Sequence, residues 1–379
     1  MRVSFFHLIP FLLPLQLAFA QGMDVGGNAP FRLPRHVQAA VGCTNYLWTG
    51  SQLSFTHSTN SLVFYPGRKR CEVNGVTVWL NTEPTGNVND ATWQMAGIDL
   101  DLVNIGILKP VPAAKRRRLT VLIDPGHGGT DSGALSCDGT MYEKDLTLAV
   151  ARRVGNLLST NGFNVCYTRT NDVEVTLQDR VQRATRVKAD FYVSLHANHA
   201  NNPQAAGVET YVLPSSGFGG TPDGSRIRGW QVGNRNDYAN LLLGYWIQRN
   251  LCSSQRIDRG VKRQSYYVLR GTACPAVLIE IGFLSNPTES GAMRTAVWRN
   301  TCARSIAAGI CDYAVRADSL SGLVAVKRKA DQEANERWRK KLAEMAKSKL
   351  PADTATNTPP AAVKDGTAVD DPEEEPPTH

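Results

Sequence analysis

The sequence predicts an α/β fold in which a mostly parallel sheet is flanked by helices on both faces. Over residues 119–317, apolar strand patterns alternate with amphipathic helix patterns, which is typical of such a sheet. The 379 residues are 42% hydrophobic and 20% charged, enough for a sizeable core, which excludes a wholly disordered chain. Apart from the first residues, no apolar stretch approaches 18 residues, which excludes a multi-pass membrane protein.

Residues 1–20 have the pattern of a secretory signal peptide. Arg2 precedes a largely apolar stretch, and Ala18-Phe19-Ala20 fits a small-residue cleavage site. A membrane anchor is the alternative, but the stretch is short and contains two prolines. We therefore expect the protein to be exported, with no membrane span in the mature chain.

Residues 33–110 are predicted to form a small β-rich module that precedes the α/β region. Asn74-Gly75 lies between two strand patterns and is typical of a tight hairpin turn. This segment carries no acid/base constellation. Its strand patterns cover Tyr46–Trp48, Leu53–Thr56, Ser61–Phe64 and Val76–Leu80.

A basic segment at residues 111–118 separates this module from the α/β region, residues 119–317. The predicted strands there are Leu119–Ile123, Phe163–Thr168, Asp190–Leu195, Gly207–Leu213 and Ala276–Ile281. The predicted helices are Lys144–Thr160, Leu177–Val187, Tyr238–Leu251 and Trp298–Val315.

Residues 318–379 are predicted to form a charged helix and an acidic, disordered tail. The helical pattern over residues 324–350 has a thin apolar stripe, and a solvent-facing helix is favoured over a partner-binding one. Residues 351–379 hold seven acids and one base, so residues 1–350 carry a net charge of +14. A basic body favours an anionic partner, such as a nucleic acid, a membrane surface or an anionic polymer.

The eight cysteines permit disulfides in an exported protein, although their connectivity cannot be read from the sequence. Cys43 with Cys71 is the preferred pair, because both lie in the small β-rich module. Buried, unpaired cysteine is the alternative. No two cysteines have the CxxC spacing, which disfavours a thiolate zinc site.

Four motifs place polar side chains where predicted strands end or helices begin. His127 lies in a glycine-rich turn after one strand, Glu143 starts a helix, and His196 ends another strand. Open α/β sheets place their sites at the carboxyl ends of strands. Glu280 follows the apolar run of the last strand, where a carboxylate is costly to bury without a partner.

Each of these residues has a structural explanation when it is taken alone, but together they have the composition of a zinc hydrolase site. Two histidines and one glutamate are a ligand set of catalytic zinc, which leaves a position open for water. A second carboxylate can then take the proton of that water. Asp124 is predicted to orient a ligand histidine, or alternatively to cap the turn.

The segments "IDPGHGGTDSGA", "EKDL", "SLHAN" and "YVLRGTACPAVLIEIGFLSN" resemble, in order, the zinc-dependent N-acetylmuramoyl-L-alanine amidases of the amidase-3 family. The resemblance covers roughly residues 119–315. It implies zinc ligands at His127, Glu143 and His196, a catalytic glutamate at Glu280, a peptidoglycan substrate and a periplasmic location rather than the medium.

Two further segments are interpreted through this resemblance. Residues 215–237 form a glycine-rich insertion, expected to be a loop beside the cleft where Arg226, Arg228 and Trp230 either contact substrate or are idle. The β-rich module resembles the copper amine oxidase N-terminal-like domain in its hairpin, Val73–Leu80, and its closing Leu108–Pro110. That resemblance implies no copper, and we expect a structural or wall-anchoring spacer.

The resemblance leaves alternatives to the amidase open. A zinc peptidase that cuts within the stem peptide would use the same metal chemistry on another amide, and a non-catalytic cell-wall-binding protein would tolerate loss of the metal. A nucleic-acid binder is disfavoured, since the chain has no basic–aromatic motif. The sequence identifies no regulatory protein partner.

Overall fold

The computed structural model describes residues 31–32, 34–43, 46–57, 60–89, 92–108, 118–221, 229–253 and 256–348. The predicted signal peptide, most of the basic segment and the acidic tail lie outside these residues. The chain divides into two units, residues 1–331 and 332–379. Of the second unit, the structure describes the end of the last helix.

The first part of the chain is built mainly from short antiparallel strands. Asn74 and Gly75 have φ angles of 51° and 78°, as a tight hairpin turn requires, and this confirms the predicted hairpin. The resemblance of this module to a named domain stays a prediction. Its elements are β1 (Phe31–Arg32), α1 (Pro34–Val41), β2 (Tyr46–Trp48), β3 (Leu53–His57), β4 (Asn60–Phe64), β5 (Arg70–Val73), β6 (Val76–Trp79), β7 (Met95–Ala96), α2 (Gly97–Val103) and a π-helical turn (Asn104–Leu108).

From residue 118 onward, strands and helices alternate as predicted. The last helix is continuous, whereas the sequence patterns predicted two separate helices there; no proline interrupts it, and Leu320 between the two patterns is buried. The elements are β8 (Thr120–Pro125), α3 (Glu143–Thr160), β9 (Asn164–Tyr167), α4 (Leu177–Arg186), β10 (Phe191–Asn198), β11 (Val208–Val212), a 3₁₀ turn (Val232–Asn236), α5 (Asp237–Cys252), β12 (Asp258–Arg263), α6 (Tyr267–Gly271), β13 (Ala276–Phe283), α7 (Pro287–Met293) and α8 (Ala296–Ser348).

The strands form one eleven-stranded sheet in the order β2-β3-β4-β5-β6-β12-β11-β13-β10-β8-β9. Strands β13, β10, β8 and β9 pair in parallel, and β11 pairs antiparallel with β13 but parallel with β12. Helices flank this mostly parallel region, which confirms the predicted fold class. The edge formed by the carboxyl ends of β8, β10 and β13 is called the site edge below, and the opposite edge is called the far edge.

The strands of the β-rich module belong to the same sheet as the α/β region, because β6 pairs in parallel with β12. The backbone N–H of Thr77 donates to Asp258 Oδ2 at 2.7 Å, and Trp79 Nε1 donates to the carbonyl of Arg259 at 3.1 Å. Gly260 has a φ of 91°, and a Cβ there would lie 2.9 Å from the Thr77 carbonyl oxygen. The close approach of the two strands therefore depends on a glycine.

The preferred disulfide between Cys43 and Cys71 is wrong, since both are free thiols. Cys71 is fully buried in the core with neighbouring strand residues, and burial raises the pKa of its thiol. Its packing among apolar side chains accounts for its place in the sequence without a covalent partner. Among the described residues, no helix has both the length and the apolar character needed to cross a membrane.

We predict that Asp258→Ala destabilises the whole sheet. The Asp258 carboxylate accepts hydrogen bonds from the N–H groups of Thr77 and Gly260 and from the Gln248 amide, at 2.7–2.9 Å. Its removal leaves these donors unpaired, at a cost on the order of 1–3 kcal/mol in the free energy of unfolding. Urea denaturation measures the change, and Glu83→Ala, at an exposed position of the same module, is the control. Equal unfolding midpoints for the two variants would contradict the prediction.

Candidate active site

The loop that carries His127 is held by two arginines that sequence reasoning did not single out. His127 has a φ of 60°, in the left-handed region that is unfavourable for a residue other than glycine. Arg169 donates to the carbonyls of Pro125 at 3.0 Å and Gly126 at 2.8 Å. Arg180 donates to the carbonyls of Pro125 at 2.9 Å and His127 at 3.0 Å. These buried guanidinium groups fix the turn that presents the imidazole.

The structure brings the three predicted metal ligands together. Glu143, at the start of α3, places Oε1 at 3.1 Å from His127 Nε2 and 3.0 Å from His196 Nδ1. One donor atom from each residue lies within 4.8 Å of the other two, and the two imidazole rings are nearly perpendicular. Two imidazoles and a carboxylate at these separations are a donor set that fits a divalent transition metal.

Two glycines make room for this cluster. A Cβ at Gly126 would collide with the His196 ring, reaching 2.6 Å from Nε2. A Cβ at Gly133, whose φ is 64°, would lie 2.6 Å from His127 Cδ2 and 2.7 Å from Glu143 Oε2. The glycine-rich sequence around His127 is therefore required by the close packing of the ligand side chains as well as by the backbone turn.

The ligand carboxylate is ionised and carries its charge between the two imidazoles. Burial opposes ionisation of Glu143, but hydrogen bonds from His127 and His196 outweigh it and hold the pKa of this carboxyl well below its usual value. Burial likewise favours neutral His127, but Glu143 and Asp131 outweigh it and raise the pKa of the imidazole. These neighbours favour a proton on the imidazole, and a metal ion bound at this position would displace that proton.

Glu280 lies beside the cluster because of strand register. It is aligned with His196 across the parallel β10–β13 pair and with Glu209 across the antiparallel β11–β13 pair. The residue is 9% exposed, and its Oε2 atom is buried without a hydrogen-bond partner among the described residues. Burial raises the pKa of the Glu280 carboxyl well above its usual value, and the nearby charges of Glu143 and Glu209 raise it further.

The neighbouring carboxylate, Glu209, accepts hydrogen bonds from four side chains. Arg259 donates to it at 2.6 Å and Lys262 at 2.5 Å, while Tyr211 donates at 2.7 Å and Asn198 at 2.9 Å. Burial opposes ionisation of Glu209, but Lys262 and these donors lower its carboxyl pKa to about 2. The two aligned glutamates therefore differ: the cations beside Glu209 lower its pKa, whereas burial raises that of Glu280.

The prediction that Asp124 orients a ligand histidine is wrong. Its buried carboxylate accepts hydrogen bonds from Thr168 at 2.6 Å, Arg180 at 2.5 Å and Ser194 at 2.8 Å, and from the Tyr192 hydroxyl. These partners lie on β10, on α4 and after β9, and no hydrogen bond joins Asp124 to an imidazole among the described residues. Its effect on His127 passes through Arg180, which it anchors.

Asp131 has the contact that was expected of Asp124. Its Oδ2 lies 2.8 Å from His127 Nδ1, while His127 Nε2 faces Glu143. A turn at Gly128 returns the chain, so that Gly128 and Asp131 exchange backbone hydrogen bonds of 2.8 and 3.2 Å. The signal in the sequence was an aspartate four residues after the histidine, across a Gly-Gly turn.

The glycine-rich insertion does not start beside the cleft. Because β11 runs antiparallel to β13, Glu209 at its beginning pairs with Glu280, whereas Tyr211 pairs with Leu278. The residues after β11 therefore emerge at the far edge of the sheet. The sequence order of the motifs gave no sign of this reversal.

The second half of the insertion also lies at the far edge. Asn236 donates to the carbonyl of Ala273 at 2.8 Å, and Ala273 precedes β13. Trp230 is exposed there, and Arg226 and Arg228 lie outside the described residues. The expected contact of Trp230 with substrate in the catalytic cleft is therefore not supported.

Several proteins with similar sequences are named as amidases. The chain is 32% identical over 247 residues to the N-acetylmuramoyl-L-alanine amidase AmiC of Neisseria meningitidis, covering 57% of this chain and 57% of AmiC. It is 31% identical to the probable cell wall amidase LytH of Staphylococcus aureus, covering 64% of this chain and 73% of LytH. The chain thus spans little more than half the length of the Neisseria relative.

A solved structure and a family model each match about half of the chain. The catalytic domain of CwlV, an N-acetylmuramoyl-L-alanine amidase from Bacillus (Paenibacillus) polymyxa var. colistinus, is 31% identical, with a TM-score of 0.44 over 52% of this chain and 97% of the domain. The family model described as N-acetylmuramoyl-L-alanine amidase matches residues 121–312, about half of the chain. The chain therefore belongs to the Amidase_3 family of N-acetylmuramoyl-L-alanine amidases.

Proposed function

We propose that this protein hydrolyses the amide that joins the lactyl group of N-acetylmuramic acid to the first L-alanine of the stem peptide in peptidoglycan. One observation carries the proposal: His127, Glu143 and His196 converge beside a buried, unpaired Glu280 at the site edge. The family of the chain supplies the substrate class.

We infer that the cofactor is zinc, held by His127, Glu143 and His196. The donor set fits because neutral imidazoles and a carboxylate are typical ligands of catalytic zinc, and because Glu143 is ionised. When bound, zinc supplies a Lewis acid for the scissile carbonyl and lowers the pKa of a coordinated water to about 7.

In this proposal, Glu280 is the catalytic acid and base. Its buried carboxylate accepts a proton from the attacking water and then gives it to the leaving nitrogen of L-alanine. A raised pKa makes the carboxylate a stronger proton acceptor, and its buried Oε2 has no hydrogen-bond partner among the described residues. Glu209 cannot replace it, because four donors hold Glu209 as an anion.

Export and a periplasmic location follow from this substrate and from the predicted signal peptide at residues 1–20. The basic body of the chain is also compatible with a wall polymer that bears carboxylates. The relative LytH is named as a probable cell wall amidase, which supports export.

The stem peptidase remains the nearest alternative, since the same residues would hydrolyse another amide. The two activities release different fragments from purified peptidoglycan. The amidase releases intact stem peptides that begin with L-alanine and leaves glycan with free lactyl carboxylates, whereas a stem peptidase leaves L-alanine on the glycan. Mass spectrometry of the fragments distinguishes them, and a chelator should stop either reaction.

We predict that Glu280→Gln and His127→Ala fail in different ways. Glu280→Gln removes the proton acceptor but no metal ligand, so it should retain zinc while the turnover of peptidoglycan falls at least 100-fold. His127→Ala removes a ligand and should lose both zinc and turnover. Zinc content by elemental analysis and fragment release measure the two effects. Glu280→Gln with the parent's turnover would refute the assignment of the base.

We predict that Asp131→Asn weakens zinc binding about 10–100-fold, because a carboxylate hydrogen-bonded to the outer nitrogen of a ligand histidine fixes the ring and its tautomer. Competition with a chromophoric chelator measures the affinity. Asp145→Asn is a matched control: it removes the same charge from an exposed position two residues after Glu143. If both variants bind zinc equally well, Asp131 has no positioning role.

A further inference from the structure

A cavity at the far edge of the sheet is separate from the metal cluster. It has a volume of about 400 Å³ and is called the far-edge cavity below. Asn240, on the helix that starts at this cavity, accepts a hydrogen bond from the N–H of Ala276, the first residue of β13. Glu280 lies four residues further along β13, about 13 Å at the rise of a strand. The lining residues are Trp230, Asn234, Arg235, Asp237, Tyr238 and Arg328.

The cavity combines an exposed aromatic face with two guanidinium groups. Trp230 is 56% exposed, so part of its indole is accessible to a ligand. The Arg235 guanidinium lies 5.9 Å from the indole centroid. Arg328, on α8, donates to the carbonyl of Arg235 at 2.8 Å, which fixes its head group at the cavity wall. An arginine has five N–H donors, so this contact leaves donors for a ligand.

The charge of the lining favours an anion. Asp237 is the one acid among the lining residues, and it accepts a hydrogen bond from Asn234 at 3.1 Å. Two arginines therefore face one aspartate in the lining, which leaves an excess of positive charge. Arg235 and Arg328 stay charged and are suited to binding a carboxylate through paired hydrogen bonds.

The proposed reaction generates a ligand with this combination of groups. Hydrolysis breaks the C–N bond of the amide; the lactyl carbonyl carbon gains the hydroxyl of water, and the stem peptide leaves with the proton on its nitrogen. Each muramic acid residue of the glycan then carries a carboxylate in place of an amide. The C–H face of a pyranose ring complements the negative face of an indole, and the new carboxylate complements an arginine.

We propose that the far-edge cavity binds peptide-free glycan, the product of the reaction, with a sugar ring against Trp230 and a lactyl carboxylate at Arg235 and Arg328. The cavity would keep the enzyme on strands from which stem peptides have been removed. The identity of the ligand rests on the proposed function, whereas the binding itself is measurable without turnover.

The test measures binding of peptide-free glycan strands to the full chain, with and without a chelator that removes any contribution from the metal cluster. Trp230→Ala and Arg235→Ala should each weaken binding at least ten-fold. Both residues are exposed, so the variants should keep the parent's thermal melting and its activity on short muropeptides. Tyr46→Ala is the control, since Tyr46 is an exposed aromatic on the distant edge strand β2 and should not affect binding.

Oligomers of N-acetylglucosamine, which lack the lactyl carboxylate, test the role of the arginines. They should bind the parent at least ten-fold more weakly than the glycan, and Arg235→Ala should reduce this difference. Equal binding of both ligands by the parent would overturn carboxylate recognition. Unchanged glycan binding by Trp230→Ala, or no binding by the parent, would overturn the site. If the parent binds glycan but releases no stem peptides, the proposed function is refuted, whereas glycan binding at the far-edge cavity is not.

Discussion

The register of three adjacent strands is the constraint on which the site depends. His196, Glu280 and Glu209 are aligned on β10, β13 and β11, so their side chains lie next to one another across the sheet. A shift of one residue in either pair would turn one of these side chains to the opposite face. The strands are held by apolar residues on both faces: Val193, Ile279 and Ile281 belong to one buried cluster, and Tyr192 and Leu278 belong to another. The hydrophobic core thus sets the geometry of the polar site.

The carboxylates of Glu280 and Glu209 are aligned on neighbouring strands, and that of Glu143 comes from the start of α3. Each of the three has different partners. Glu143 is stabilised by two imidazoles, and Glu209 by Lys262 and Arg259. Glu280 has no such partner, and its buried oxygen is unpaired among the residues that the structure describes. In the proposed mechanism, these contrasting environments divide the chemical roles: Glu143 would bind the cation, Glu209 stays an anion and Glu280 would transfer a proton.

The motifs in the sequence predicted that His127, Glu143, His196 and Glu280 belong to one site, and the structure brings donor atoms of the first three within 4.8 Å of one another. Their roles as ligands and base stay predictions. The sequence was not sufficient for the side chains that support these residues. Asp124 precedes the loop that carries His127, but its carboxylate binds Ser194 of the neighbouring strand. Asp131 reaches His127 only because the chain turns back at Gly128. The antiparallel direction of β11, which sends the insertion to the far edge, also depends on tertiary pairing that no local pattern encodes.

The pairing of β6 with β12 links the β-rich module to the chemistry. Strand β12 carries Arg259 and Lys262, the cations that keep Glu209 ionised beside Glu280. Strand β12 is also joined to β6. Its own Asp258 accepts a hydrogen bond from the backbone N–H of Thr77, and the Trp79 indole donates to the Arg259 carbonyl. Because the Arg259 backbone is fixed from the module and its side chain is fixed at Glu209, displacement of β6 would disturb the carboxylate that is aligned with Glu280. The module therefore helps to support the candidate site.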